Sequence, residues 1–385
     1  MREITIAGAG TSHPTPEVMN ALKNSDVIFA SPRFMHLIPA GKKIIDIKNY
    51  SQFENESGRI LFLVSGDPGI FSLLPLIKRK CQNVKVLPGI SSLQVIASYA
   101  AETWHNAAIL SGHGRNINAG HFLNTVERNA KTILFCDSNI SPSWACEKLL
   151  CLPSVEVFIG CNFGEKNELF LHGHPKEFIY RSFPELSIIL IKNNAVYSPE
   201  KIFLRDRDFL REKNIVMTNE AVRSVILSRL AVNNNSVLWD IGAGSGSISV
   251  CSAHEFPYSD VHAVEHSHEA ADLIIRNAAK FHLHNIHVHE SRALSVVGEL
   301  PAPSHVFIGG SDGELPGLLE YISRFHVRVV IACVTLETTN TAYNLLHTWE
   351  NFEAVQIAVT SSHPLNSSLT LMKANNPVMI FTAEK

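Results

Sequence analysis

Short apolar runs alternate with glycine-rich turns and amphipathic stretches along the first 200 residues. Continuous apolar runs are typical of strands that are buried on both faces of a parallel sheet. Such runs end at a turn at residues 3–8, 60–64, 84–87 and 107–110. Residues 15–25 follow the first turn and are predicted to form a helix, with Thr15 as N-cap and Pro16 at the first helical position. The repeated order of strand, turn and helix predicts parallel α/β units.

The spacing of the elements changes beyond residue 115. Three further predicted strands lie at wider intervals and indicate a second lobe, at residues 132–136, 155–159 and 187–191. Residues 202–216 are charged, with few apolar side chains after Leu204, which predicts a linker. Strands then alternate with helices to the end of the chain. We predict one domain at 1–201, with lobes of about 1–115 and 116–201, and a second at 217–385.

Composition and charge support this division. The 385 residues are too many for one ordinary domain. The hydrophobic fraction of 45% and the charged fraction of 18% are those of a globular protein and exclude general disorder. A net charge of −3 argues against a nucleic-acid binder, because such proteins are usually basic. Residues 1–205 carry +4 and residues 206–385 carry −7, which indicates two units of separate origin.

The sequence also predicts a cytoplasmic protein that does not associate with membranes. No apolar run is long enough for a membrane span, and the N-terminal residues lack the apolar stretch of a signal peptide. The seven cysteines form no CxxC pair. An odd, scattered set of this kind indicates reduced thiols.

The most informative motif is Asp240-Ile241-Gly242-Ala243-Gly244-Ser245-Gly246, which follows a predicted strand. Alternate glycines allow positive φ and let the backbone pass close to a ligand, and the next helix offers its partly positive N-terminus. Glu265 ends the following strand, where a carboxylate suits the two hydroxyls of a ribose. NAD-binding loops favour G-x-G-x-x-G, whereas S-adenosylmethionine (SAM) methyltransferases favour D-x-G-x-G-x-G. The sequence has the second spacing.

Three turns in the first half also lie directly after predicted strands. They read Gly66-Asp67-Pro68, Pro88-Gly89-Ile90-Ser91-Ser92 and Ser111-Gly112-His113-Gly114-Arg115. Open α/β sheets bind ligands at this edge, beyond the carboxyl ends of the strands. Each turn alone is a weak signal, but together they predict one shared cleft.

Longer segments of the first half resemble the tetrapyrrole methylase family, the two-lobed class III SAM methyltransferases. That resemblance rests on SPRFM, LVSGDPGIFSLL, LPGISSLQ and SGHGR, at residues 31–35, 63–74, 87–94 and 111–115. Residues 217–385 resemble the decarboxylating C-15 methylases of the cobalamin pathway, which are class I enzymes. Their shared segments are MTNEAVR, LWDIGAGSGSISV, AVEHSHEA, FIGGSDGEL, VTLET and NNPVMIF, at residues 217–223, 238–250, 263–270, 307–315, 334–338 and 375–381. The order of the halves is that of the fused C-5 and C-15 methylases.

The resemblance implies a fold class and an activity. The fold would be α/β, a two-lobed class III tetrapyrrole methylase followed by a Rossmann-like class I SAM methyltransferase domain. The activity would be methylation at C-5 and C-15 of a precorrin-6B or cobalt-precorrin intermediate, with decarboxylation of the ring-C acetate. SAM would be the methyl donor, the small-molecule tetrapyrrole the partner, and the chain would form a homo-oligomer.

The resemblance also implies site residues. Cofactor contacts would come from the second half at Thr218, Gly242, Ala243, Gly244, Ser245, Gly246, Glu265 and Ala293, and from the first half at Gly66, Asp67, Ser91 and Ser92. Gly309, Gly310 and Ser311 would form a positioning loop that faces the methyl group. Methyl transfer from a sulfonium is an in-line displacement governed by alignment, so no dedicated catalytic nucleophile is predicted.

Arginine suits the acetate and propionate groups of such a substrate because its planar fork binds carboxylates bidentately. The candidates are Arg33, Arg115 and Arg223. A surface salt bridge is the alternative role for Arg33 and Arg115. His113 could move a proton near neutral pH, although a structural histidine is the commoner case.

The sequence departs from the family pattern at the first loop, at Asn219, where the family often has a basic residue, and at Asp312. The first loop reads Gly8-Ala9-Gly10-Thr11-Ser12 where the family has G-x-G-P-G, and Asp312 stands where glycine is frequent. The altered loop leaves open that the first half only binds substrate for the second half. Methylation of another target, such as RNA, is a further alternative, against which the absence of a basic surface argues.

A cluster of histidines lies at His282, His284, His287 and His289. Because no cysteine or carboxylate completes a tetrahedral set within this stretch, we predict surface histidines and no metal site.

Overall fold

The structure is a computed structural model that describes residues 2–10, 14–113, 117–199, 203–365 and 369–385. The chain divides into two compact units. The first consists of Met1–Ile117 with Thr125–Val196, and the second of Asn118–Asn124 with Tyr197–Lys385. Within the described ranges, every helix is too short or too polar to cross a bilayer.

The first unit begins with a parallel five-stranded sheet. Its strands are β1 (Glu3–Gly8), β2 (Val27–Ala30), β3 (Lys43–Asp46), β4 (Arg59–Val64) and β5 (Val84–Leu87). They lie in the order β3-β2-β4-β1-β5. Because β4, β1 and β5 are adjacent and parallel, the turns after them meet at one edge, as the motifs predict. Separate buried apolar clusters, one with Leu61 and the other with Phe62, form the core on the two faces.

The helices of this lobe follow the strands. They are α1 (Pro16–Asn24), α2 (Leu74–Lys80) and α3 (Ser92–Tyr99), with 3-10 segments at Pro32–Leu37 and Ile47–Asn55. The prediction for residues 15–25 is confirmed, since Thr15 caps α1 by accepting a hydrogen bond from the Val18 amide at 3.3 Å. Strands β2 and β3 were not predicted.

A second five-stranded sheet forms the other lobe of the first unit. Its strands are β6 (Ala108–Ser111), β7 (Lys131–Phe135), β8 (Val155–Cys161), β9 (Leu169–Gly173) and β10 (Ser187–Asn193). Their order is β6-β7-β10-β8-β9, with β6 and β7 parallel and the other pairs antiparallel. Helices α4 (Ala119–Arg128) and α5 (Pro142–Lys148) belong to this stretch of chain, with 3-10 segments at Leu149–Cys151 and Pro175–Glu177. Leu93 and Ile96 of α3 pack against this sheet, which ties the two lobes together.

The second unit is built on a seven-stranded sheet. Its strands are β11 (Val237–Ile241), β12 (Asp260–Glu265), β13 (Ile286–Glu290), β14 (His305–Ile308), β15 (Arg328–Cys333), β16 (Glu350–Ile357) and β19 (Val378–Glu384). They lie in the order β13-β12-β11-β14-β15-β19-β16, and β19 is antiparallel to both neighbours. A separate antiparallel hairpin joins β17 (Thr360–Pro364) and β18 (Thr370–Ala374). The parallel strands place the turns after β11, β12 and β14 side by side.

Helices cover both faces of this sheet. They are α6 (Glu220–Leu230), α7 (Ser247–Glu255), α8 (His268–Lys280), α9 (Ala293–Val296), α10 (Leu315–Ile322) and α11 (Leu336–Leu346), with a 3-10 segment at Asp206–Asp208. Two buried apolar clusters, which include Trp239 and Leu238, lie on opposite faces. The predicted fold class is confirmed.

The segment assigned to a linker is packed rather than solvated over part of its length. Leu204 and Phe209 are buried in the same apolar cluster as Ile226 of α6. The residues from Leu204 onward therefore belong structurally to the second unit.

Candidate functional site

The glycine motif of the second unit forms the turn between β11 and α7. Gly242, Gly244 and Gly246 have φ values of +67°, +56° and +72°, which L side chains rarely adopt. A Cβ at Gly242 would lie 2.4 Å from the carbonyl oxygen of Gly310. The backbone after β11 and the backbone after β14 are thus in direct contact, and only glycine permits this approach.

Glu265 lies beside this turn at the end of β12. Its side chain is buried and accepts hydrogen bonds from the amides of Gly244 and Ser267, both at 2.9 Å. The carboxylate therefore fixes two loops at the same edge of the sheet. The structure brings Glu265 and the glycine motif together as the sequence predicts.

The predicted positioning loop follows β14 on the other side of β11. The Gly309 amide donates to the carbonyl of Ile241 at 2.9 Å, and Gly310 is exposed. Apart from Gly310 itself and its two chain neighbours, no described residue has an atom within 4 Å of a Cβ built at Gly310. Open space therefore lies above Gly310, where a bound ligand could approach, and Ser311 is half-buried next to it.

Thr218 and Ala293 complete the predicted set in the second unit. Thr218 precedes α6 and is half-buried, close to Val216, whose carbonyl accepts a hydrogen bond from the Ser245 amide at 3.1 Å. Ala293 begins α9 and is buried in the same apolar cluster as Val264. The segment before α6 and the start of α9 thus both contact elements that carry the glycine motif and Glu265.

Asp312 has a backbone conformation that explains why glycine is frequent at its position. Its φ is +45°, in the left-handed region. Its carboxylate lies 3.3 Å from Nδ1 of His266, which is also 3.3 Å from Glu265. The extra carboxylate is therefore held at the edge of the glycine turn by an imidazole.

Asp240 supports the glycine motif from inside the sheet. It is fully buried, accepts hydrogen bonds from the amide and hydroxyl of Ser249, and its Oδ1 has no hydrogen-bond partner among the described residues. Burial raises the pKa of Asp240 to about 6, although the Ser249 hydrogen bonds oppose this shift. The ionised form is therefore destabilised at neutral pH.

This shift predicts a pH dependence of stability. The folded chain binds the Asp240 proton below about pH 6, whereas the unfolded chain binds it only near pH 4. The contribution of Asp240 to the free energy of unfolding should therefore increase by about 1 kcal/mol from pH 7.5 to pH 5. Urea denaturation at both pH values should show this difference between the natural protein and Asp240→Asn, which cannot titrate. A stability difference that does not change with pH would contradict the assignment.

Arg223 does not lie where the sequence analysis expects a substrate ligand. Its side chain is only 2% exposed. Its guanidinium donates to Asp206 at 2.9 Å and to the carbonyls of Thr218 and Leu204, and it stacks over the ring of Phe209. The predicted substrate contact at Arg223 is therefore corrected, because the guanidinium is buried and already donates to these groups. Its hydrogen bonds hold the segment before α6 against that helix.

Removing this clamp should destabilise the second unit. Arg223→Met leaves the buried Leu204 carbonyl, the part-buried Thr218 carbonyl and the Asp206 carboxylate without their donor, so we expect the free energy of unfolding to fall by about 2 kcal/mol. Arg229→Met is the matched control, because Arg229 lies on the same helix and forms a more exposed ion pair with Glu353. Its effect should stay within about 0.5 kcal/mol. Equal losses in the two variants, measured by chemical denaturation, would argue against the clamp.

A cleft of about 960 Å³ opens in the first unit at the carboxyl ends of β4, β1 and β5. Its walls include the predicted cofactor residues Gly66, Asp67, Ser91 and Ser92. Ser91 also caps α3, since its hydroxyl accepts a hydrogen bond from the Leu93 amide. A volume of this size suits a nucleoside-sized ligand together with part of a larger one.

Three glycine backbones meet next to this cleft, and one of them, Gly66, lines it. A Cβ at Gly89 would lie 2.4 Å from the carbonyl oxygen of Gly66 and 2.8 Å from that of Gly8. Asp67 connects the loops after β4 and β5, because its carboxylate accepts hydrogen bonds from the amides of Gly69 at 2.7 Å and Gly89 at 3.2 Å. The altered first loop begins here at Gly8, but Thr11 and Ser12 lie outside the described residues.

The charged residues that were predicted around this cleft lie in different places. Arg33 lines the cleft, donates a hydrogen bond to Ser65 and stacks over Phe34. Burial lowers the pKa of Arg33, and the charge of Glu165 opposes this shift. His113 is exposed at the rim, whereas Arg115 lies outside the described residues.

The cleft wall also has an aromatic part that the sequence motifs do not predict. Phe71, after β4, and Phe135, at the end of β7, pack edge to face with ring centroids 5.4 Å apart. Phe71 is 41% exposed and has a φ of +45°. A phenylalanine beside a Gly-Asp-Pro-Gly turn was the available signal, but it could not show that the ring would face a cleft.

Comparisons with known families match each half separately. Residues 209–385 match the family described as precorrin methyltransferase domain, and residues 3–178 match the tetrapyrrole (corrin/porphyrin) methylases. The chain is 34% identical over 188 residues to the cobalt-precorrin-6B C(15)-methyltransferase (decarboxylating) of Salmonella typhi. This alignment covers 47% of this chain and 96% of the relative. It is 27% identical over 268 residues to the precorrin-6Y C(5,15)-methyltransferase [decarboxylating] of Sinorhizobium sp, covering 68% of this chain and 64% of the relative.

Solved structures also align with single halves. A precorrin-6y C5,15-methyltransferase structure from Geobacter metallireducens GS-15 has 30% identity and a TM-score of 0.45, covering 49% of this chain and all of that one. A cobalamin biosynthesis precorrin-6Y methylase from Archaeoglobus fulgidus has 18% identity and a TM-score of 0.41, covering 50% of this chain and 98% of that one.

Proposed function

The chain belongs to the precorrin methyltransferase family, and on that premise we propose that it methylates a precorrin at C-5 and C-15 and decarboxylates its ring-C acetate. The observation that carries this proposal is the presence of two glycine-built sites in one chain. One is the cleft lined by Gly66 and Asp67, whose carboxylate is bound by the Gly89 amide, hereafter the first site. The other is the turn at Gly242–Gly246 with Glu265, hereafter the second site.

We assign C-5 methylation to the first site and C-15 methylation with decarboxylation to the second. The assignment is supported by the family matches, because the tetrapyrrole methylase match covers the first unit and the precorrin methyltransferase match covers the second. The relative from Salmonella typhi, which is named for methylation at C-15, aligns with 47% of this chain. The two activities would then reside in separate units of one protein.

The residues of the second site fit SAM. Bound there, SAM supplies an electrophilic methyl group. The Glu265 carboxylate has acceptor capacity beyond the two amides it already binds, and this suits ribose hydroxyls. The glycine backbone at Gly242 and Gly244 allows close approach, and the open space at Gly310 leaves room for the acceptor carbon.

The chain's contribution to the reaction is mainly alignment. When the protein holds the donor carbon and the acceptor carbon in line, the entropy cost of aligning them is met on binding. This alignment can lower the activation free energy by about 7–11 kcal/mol. The hydrogen bond from the Gly244 amide to Glu265 and the close packing of Gly242 on Gly310 hold the loops at this edge of the sheet together. In the first site, Arg33 is the proposed ligand for a substrate carboxylate, because its guanidinium lines the cleft.

The proposal is tested by mass spectrometry of the product formed from a defined precorrin-6B, with and without cobalt. Incubation with methyl-deuterated SAM should add two labelled methyl groups and release one carbon dioxide. Addition of a single methyl group with carbon dioxide release would instead favour a first unit that only binds substrate. A substrate that is bound but never methylated would contradict the proposal, and retention on RNA at physiological salt would point to another target.

A further inference from the structure

Four polar side chains line one face of the edge strand β13 and its neighbour β12 in the second unit. Residues Asp260 and His262 on β12 are two apart, as are His287 and His289 on β13, so each pair points to the same side of its strand. His262 lies directly opposite His287 in the parallel register. The cluster is thus built into the sheet rather than into a surface loop.

The distances within this cluster match those between the ligands of a tetrahedral metal ion. Asp260 lies 2.9 Å from Nε2 of His287 and 3.5 Å from Nε2 of His262, and the three ligand atoms lie within 4.8 Å of one another. Zinc–nitrogen and zinc–oxygen bonds of about 2.0–2.1 Å in a tetrahedron put neighbouring ligand atoms about 3.3 Å apart. Small side-chain rotations would therefore complete the site without moving the strands.

His262 provides a second, independent indication. Its side chain is 9% exposed, and its Nε2 is shielded from solvent and makes no hydrogen bond within the part of the chain that the structure describes, with the Asp260 carboxylate 3.5 Å away. Its Nδ1 lies 3.0 Å from Nε2 of His289. If Nδ1 carries the proton and donates it to His289, Nε2 presents its lone pair to the cluster. Metal-binding histidines commonly use their second ring nitrogen in this way.

We propose that Asp260, His262 and His287 bind a divalent cation with zinc chemistry, with His289 orienting His262. Two imidazole nitrogens and one carboxylate oxygen form a donor set that Zn²⁺ accepts readily. The His287 side chain is 43% exposed, which gives the ion a path from solvent and leaves room for water as the fourth ligand. Three histidines and one aspartate thereby receive a common role.

The role of this ion would be structural. Glu265 is three residues beyond His262 on β12, which corresponds to about 10 Å along the strand. The ion would hold edge strand β13 against β12 and would not reach the reacting atoms at the second site. The proposal is therefore independent of the substrate assigned to this protein.

Metal binding to the full chain tests the proposal. Chelator-treated protein is titrated with Zn²⁺, and with Co²⁺ as a spectroscopic probe, in a Cys151→Ser background because Cys151 is an exposed thiol. We expect one tightly bound ion per chain, visible Co²⁺ bands of a four-coordinate nitrogen–oxygen site and a rise in thermal midpoint on adding Zn²⁺. Asp260→Asn and His287→Asn should each weaken binding by about 100-fold or more.

His268→Asn is the matched control. His268 forms a similar imidazole–carboxylate pair with Glu290 at 2.9 Å on neighbouring elements, but the pair has no third ligand within the described cluster. This variant should bind Zn²⁺ as the natural protein does. Circular dichroism checks that the partly exposed His287→Asn variant is folded. Failure of the natural chain to retain Zn²⁺, or equal binding by all three variants, would overturn the proposal.

Discussion

Replacing Glu265 by alanine should reduce kcat/KM for SAM in the C-15 reaction by about 100- to 1000-fold, which corresponds to about 3–4 kcal/mol. The buried carboxylate fixes the Gly244 and Ser267 amides and is the proposed acceptor for the ribose hydroxyls. Hydrogen bonds to a charged group typically contribute about 1.5–3 kcal/mol each, so the loss of several is consistent with this reduction. The measurement follows carbon dioxide release together with methyl incorporation.

Glu290→Ala is the control for this variant. Glu290 lies opposite Glu265 in the register of β12 and β13, but its side chain is 51% exposed and pairs with His268. It should leave the C-15 reaction nearly unchanged. C-5 methylation by the same molecules is an internal control, because Glu265→Ala should not affect the first unit. A Glu265→Ala variant with normal C-15 kinetics would remove this residue from the proposed site.

Replacing Gly89 by alanine should abolish most C-5 methylation, with a loss of at least about 100-fold, and destabilise the first unit by about 3 kcal/mol. The new Cβ would collide with the backbone oxygens of Gly66 and Gly8 at 2.4 and 2.8 Å. Because both contacts are backbone atoms at the ends of neighbouring strands, the clash cannot be relieved by rotating a side chain. The strand ends would separate, and Asp67 would lose its hydrogen bond from the Gly89 amide.

The Gly41→Ala variant separates this clash from the general cost of replacing glycine. Gly41 has a φ of +80°, and a Cβ there would have no described atom within 4 Å apart from those of Gly41 and its two chain neighbours. It should lower stability by about 1 kcal/mol and leave C-5 methylation unchanged. Mass spectrometry of the methylated product and thermal unfolding measure both effects. Comparable C-5 activity in the two variants would show that the close approach of the three strand ends is not required.

The sequence predicted the elements whose physical signals are local. Buried parallel strands such as β4 show as continuous apolar runs, and α1 begins at a recognisable cap and proline. Strand β3 was missed because it is short and its burial pattern shows no buried residue. The hairpin of β17 and β18 was missed for a related reason, since its residues are almost all exposed and carry no periodic apolar signal.

The candidate sites could be predicted where a motif fixes the backbone. Alternate glycines at 242, 244 and 246 and the acid at the end of the next strand identified the second site from spacing alone. The burial of Arg223 could not be predicted from the sequence. Its guanidinium binds the Asp206 carboxylate and the Leu204 carbonyl, which lie 17 and 19 residues before it, and the backbone carbonyl of Thr218, and no local pattern marks these contacts. The sequence around the histidine stretch shows no carboxylate ligand, because Asp260 lies on the neighbouring strand, 27 residues before His287.

The burial of Arg223 determines how the protein can be dissected. Truncation at residue 217, where the sequence places the start of the second domain, would remove Asp206 and the Leu204 carbonyl and leave a cation in an apolar environment. An excised second unit should therefore begin before Leu204 if it is to fold as it does in the full chain. The same boundary would suit limited proteolysis, because cleavage after Phe209 would divide a packed core, whereas cleavage before Leu204 would spare it.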